Sequence, residues 1–107
     1  MSYRDIEMKV IEWAEARQII PNSTAAAQSR KAGEEVMELI EAAARMAALN
    51  DAMRLVPSLA DNDEFQSLRI KVLHEFEDAV GDTVVCLINA CALADVDLVD
   101  CLNGAYH

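Results

Sequence analysis

Between Thr83 and Ala94 the chain reads TVVCLINACALA, and only Thr83 and Asn89 interrupt the apolar run. A helix with no wet side has to be buried, so any fold must build its middle around this segment. The residues leading into it carry Glu75, Asp78 and Asp82 at i, i+3 and i+7, which stacks three carboxylates on one helical face. That face continues through Val85, Asn89 and Ala92, while Leu73, Phe76, Val80, Val84, Leu87 and Cys91 form a second, apolar stripe. Carboxylates that run into a core need a partner, because an unpaired buried charge is expensive.

The remaining sequence supports helices of the same kind. Hydrophobic residues make up 53% of 107 positions, with three glycines and two prolines, which predicts one all-α domain over residues 1–107. Ser2 is placed to cap a first helix reaching about Gln18, with Ile6, Val10, Trp13 and Ala14 on one face. Pro21 and its neighbours break it. Ser23 or Thr24 then caps a second helix to about Leu49, whose expected buried stripe is Val36, Leu39, Ile40 and Ala43. The stretch Asn50–Asn62 reads as a connection with one short helical turn near Ala52–Val56. Asn62 or Asp63 caps a third helix of some thirty residues, expected to kink or open slightly near Gly81, and Asp95-Val96-Asp97 ends it and caps a last one from Leu98 to about Ala105.

Charge narrows the function classes. A net charge of -10 argues against nucleic acid, since neutralising phosphates takes a basic patch. No apolar run reaches a bilayer span and early charges interrupt any signal-like segment, so no membrane partner and a cytoplasmic location are expected. Cys86, Cys91 and Cys101 lie in helical apolar runs, which suits reduced thiols better than a zinc site. A di-iron bundle would need Glu-x-x-His on two helices, which this chain does not offer.

Antiparallel packing of the second and third helices would set Glu34, Glu35 and Glu38 against Glu75, Asp78 and Asp82. So many anions raise one another's pKa in a shared cleft, and a hard dication such as Mg²⁺ resolves the conflict while leaving positions for water and phosphates. A solvated acidic face with Lys31 pairing a glutamate is the plainer alternative. Trp13 reads either as a core anchor or as the wall of a pocket.

The ordered set Trp13-Ala14-x-x-Arg17, Ile20-Pro21-Asn22-Ser23-Thr24, Lys31-x-x-Glu34-Glu35-x-x-Glu38, Gly81-Asp82 and Asp97-Leu98-x-x-Cys101-Leu102-x-x-Ala105-Tyr106 resembles the small MazG-like all-α NTP pyrophosphohydrolases. The resemblance covers most of the chain. It implies a four-helix-bundle-type fold assembled as a homodimer or homotetramer, and Mg²⁺-dependent cleavage of a nucleoside triphosphate to the monophosphate and pyrophosphate. Carried over, Glu35, Glu38 and Asp82 match metal-ligand positions, with Asp78 standing in for the glutamate that the family usually has where this chain has Ala79. Glu34 would be a further ligand or would orient the attacking water. Lys31 would meet phosphate, and Trp13 would line the base pocket. Relatives typically carry a basic tail after the Ala-Tyr pair; here Arg17, Arg30 or Arg45 would serve instead. A non-catalytic helical oligomer or nucleotide-binding module on the same scaffold is the alternative.

Overall fold

The computed structural model describes residues 1–106, and among these no strand occurs: the protein is all-α. The elements are α1 (Tyr3–Ala16), a short α2 (Ile19–Asn22), α3 (Ala25–Leu55), a 3₁₀ turn (Pro57–Asp61), α4 (Asp63–Leu93) and α5 (Leu98–Tyr106).

Local chemistry sets the helix starts. The Ser2 hydroxyl accepts from the Asp5 backbone N–H at 3.3 Å, and the Asp5 carboxylate accepts from the Ser2 backbone N–H at 3.0 Å. Those bonds from Ser2 hold the Asp5 carboxyl below its usual range. Thr24 Oγ1 accepts from the Ala27 N–H at 3.0 Å and Asn62 Oδ1 from the Phe65 N–H at 2.8 Å. Caps of this kind are worth ~1 kcal/mol each. Asp97 caps α5 by accepting from the Val99 N–H at 3.2 Å. Between α1 and α3, Ile20 has extended backbone and the Ile20–Pro21 peptide is cis. At the far end of α4, Asp95 takes a left-handed φ of 56° and the Val96 N–H closes back on the Cys91 carbonyl.

Two expectations about α3 and α4 need correcting. First, α3 does not stop at Leu49 but runs on to Leu55. Leu49 and Met53 continue its inward stripe, and Asp51 pairs with Arg54 at 3.2 Å, so residues that resemble a turn propagate the helix instead. Second, the buried stripes are not those of the largest side chains. On α3 the inward residues are Gln28, Ala32, Glu35, Leu39, Ala42, Met46, Leu49 and Met53, alternating steps of four and three, while Ile40 and Ala43 are exposed. On α4 the matching series is Phe65, Arg69, Val72, Phe76, Ala79, Thr83, Cys86 and Ala90, and the expected stripe through Leu73, Val80, Val84 and Leu87 is left about 40% exposed. A 3–4 alternation is the seam of paired helices, and small side chains on it let backbones approach closely. α4 runs unbroken through Gly81.

The chain divides into two compact units, one made of residues 1–33 with 82–107 and the other of residues 34–81. Unit 34–81 is an antiparallel hairpin. Arg45 pairs with Glu75 at 2.7 Å, Asn50 accepts from Arg69 at 3.3 Å, and Gln66 approaches the Met53 sulfur at 3.9 Å. Its core includes Ala42, Val72 and Ala79. In the other unit α1 packs on α2, and Ala14, Ala32, Cys86, Ile88 and Ala90 are buried. Asn89 is buried there too, at 2% exposure, with its Oδ1 lacking a hydrogen-bond partner.

No helix among the described residues is long and apolar enough to cross a membrane.

Candidate functional site

In the unit of residues 1–33 and 82–107, one face of α1 carries Ile6, Lys9, Val10 and Trp13 at the i, i+3, i+4, i+7 spacing of a single helical stripe. These four, with Asp82 and Val85 of α4, line a cleft of about 370 Å³. The volume is that of a small-molecule pocket. Its walls are largely apolar, with one ammonium and one carboxylate among them. Trp13 is 42% exposed, so it serves as a wall and not as a core anchor. The Arg17 guanidinium stacks 4.4 Å from the centroid of the indole, a cation–π contact that occupies one face of the ring. Lys9 and Asp82 make no ion pair or side-chain hydrogen bond with any described residue.

A second cleft of about 400 Å³ in the same unit is bordered by Arg4, Glu7, Asp95, Asp97 and Asp100. Its charges are largely spent on one another. Arg4 donates to both Asp97 oxygens at 3.0 and 2.9 Å and to Glu7 at 3.1 Å, and the Tyr3 hydroxyl donates to Glu7 at 2.7 Å. The hydrogen bonds from Arg4 hold the Asp97 carboxyl below its usual range. Burial, reinforced by the Glu7 acceptor, pushes the Tyr3 phenol up to about 12. Burial also raises the Cys91 thiol, and Cys101 beside it adds to the shift. This is a structural clasp between the starts of α1 and α5.

The sequence-derived carboxylates of unit 34–81 are differently disposed. Glu35 is half-buried in the α3 seam, with Oε2 closed off from solvent. Glu34, Glu38 and Asp78 are exposed and unpaired, and Glu75 is engaged by Arg45. Ala79 sits in the seam at 3% exposure, whereas its neighbour Asp78 faces out. Lys31 is exposed and is not a wall of the Trp13 cleft. Among the described residues no group of three or more His, Cys, Asp or Glu could hold a metal ion.

The structure thus sets Trp13 and Asp82 on one cleft and stacks Arg17 on Trp13, and it adds to the cleft a residue that the sequence motifs did not select, Lys9. Its only signal was a lysine one helical turn before the tryptophan, a spacing too common to single out.

Compared with protein-family models, curated proteins and solved structures, the chain matches none of them.

Proposed function

We propose that the chain is a nucleoside triphosphate pyrophosphohydrolase, hydrolysing an NTP or dNTP to the monophosphate and pyrophosphate and working as a homo-oligomer in the cytoplasm. The observation that carries this reading is the convergence of Trp13 and Asp82, residues of two separate sequence motifs, on one small-molecule cleft. An apolar wall with an indole suits a nucleobase, and charged groups beside it suit the polar remainder of a nucleotide. Magnesium is the cofactor this reading calls for, and the residues that the resemblance assigns to hold it are Glu34, Glu35, Glu38 and Asp78 of one unit and Asp82 of the other. The exposed apolar residues Met37, Ile40, Ile70, Leu73 and Val80 of unit 34–81 supply surface for a second copy.

Pyrophosphate release from a panel of nucleotides with Mg²⁺ tests the activity. Glu38→Gln and Asp82→Asn are each expected to lower turnover at least a hundredfold with circular dichroism unchanged. Near-normal rates in both would remove the ligand assignment.

One observation favours a second reading, a nucleotide-binding module without chemistry. The position that carries a glutamate in the resembled family is Ala79, turned into the seam, and Asp78 points elsewhere. Nucleotide binding without pyrophosphate release in the wild-type protein would select it.

A further inference from the structure

We infer that Lys9 is the anion-holding residue of the Trp13 cleft and that the cleft takes a nucleoside 5′-monophosphate, the ring lying along Trp13 and Val85 and the phosphate meeting the Lys9 ammonium. The inference rests on the nucleotide reading above and assigns a binding role to a residue that the sequence motifs did not select.

Three observations carry it. Lys9 precedes Trp13 by four residues in α1, and Arg17, the residue that caps the end of α1, lies over the indole, so the indole has a cation before it and one after it in the chain. The two cations are not equivalent. Arg17 lies over the ring at 4.4 Å and closes that face, whereas Lys9 lines the open cleft and engages no described residue. An ammonium with no protein partner, beside an apolar wall, offers a point charge to a ligand anion. Lys31 has the charge but not the place, because it is no part of the cleft. Finally, Asp82 faces the same space, which puts purely hydrophobic ligands at a disadvantage and favours one that also bears N–H donors, as a nucleobase does.

Trp13 is the only tryptophan of the chain, so its fluorescence reports on the cleft alone. The experiment titrates nucleoside 5′-monophosphates and the matching unphosphorylated nucleosides into wild type, Lys9→Met and Lys31→Met, with a chelator present. The expected result is saturable quenching by at least one monophosphate in the wild type. Lys9→Met should weaken it tenfold or more, while the affinity for the nucleoside barely changes. A tenfold loss that follows Lys31→Met instead, or equal monophosphate affinity in wild type and Lys9→Met, overturns the proposal. So does a fluorescence that no monophosphate alters. Pyrophosphate release by the same proteins separates this inference from the activity on which it rests. Wild-type turnover with Lys9→Met unimpaired sinks the inference alone, whereas Lys9-dependent monophosphate binding without turnover of any triphosphate sinks the hydrolase reading alone.

Discussion

In the unit of residues 1–33 and 82–107, Cys86, Ile88, Asn89 and Ala90 of α4 are all buried, although they point to several sides of the helix. In unit 34–81 burial on the same two long helices narrows to one stripe, marked by Ala42 on α3 and by Val72 and Ala79 on α4. Local sequence does not account for the contrast, because Leu73 and Val80 are as apolar as Ile88 and stay about 40% exposed. What differs is company. One unit includes α1, α2 and α5 besides its segments of α3 and α4, whereas the other has a hairpin and a 3₁₀ turn. A helix is covered on many sides only where a third and a fourth element belong to its own unit, and a hairpin alone covers one.

That contrast can be broken by mutation. Ile88→Ala should destabilise by about 2–5 kcal/mol in a chemical denaturation experiment, the cost of a cavity in a closed core. Val72→Ala in the hairpin removes two methyl groups and should cost only about 1–2 kcal/mol. Equal losses would mean that the two units are equally well packed. Asn89→Leu keeps the branching at Cγ and removes an acceptor that has no partner, so it should stabilise by about 1–2 kcal/mol. A clear loss instead would show that Oδ1 is satisfied in solution. Asp97→Asn should lower the melting temperature near neutrality, and the difference from wild type should vanish in acid. The sign follows from a depressed folded pKa: the stabilisation is present above the ordinary carboxylate range and is lost as pH falls through the folded value. The smallest effect belongs to Arg45→Ala. Its pair with Glu75 is half exposed, and the expected loss is under ~1 kcal/mol.

Much of the architecture was legible in the sequence. Ser2 caps the first helix as expected, and of the candidates the sequence offered for the others Thr24, Asn62 and Asp97 make the caps, because capping depends on residues within one turn. The inward stripes were not legible. Hydrophobic periodicity weights Leu, Val and Ile above Ala, so it selected Leu73, Val80 and Val84, whereas close packing selected Ala42, Ala79 and Ala90. Asn50 and Asp51 look like turn residues, yet the seam carries α3 past them. For the site, Trp13 and Asp82 were each visible in their own motif, but their meeting depends on how α1 and α4 pack, and Lys9 had no motif at all.

The division of the chain also sets an order of assembly during synthesis. Residues 34–81 are contiguous, so the hairpin can close as soon as they leave the ribosome. The other unit is split around that insert, and the clasp between Arg4 and Asp97 joins residues 93 positions apart. At ~5–20 residues per second, Arg4 waits roughly 5–19 s for its partner to be made. During that interval Ile6, Met8 and Trp13, already half exposed in the finished protein, have nothing from residues 82–107 to cover them. Until then α1 is exposed along the face that residues 82–107 later meet at the Trp13 cleft.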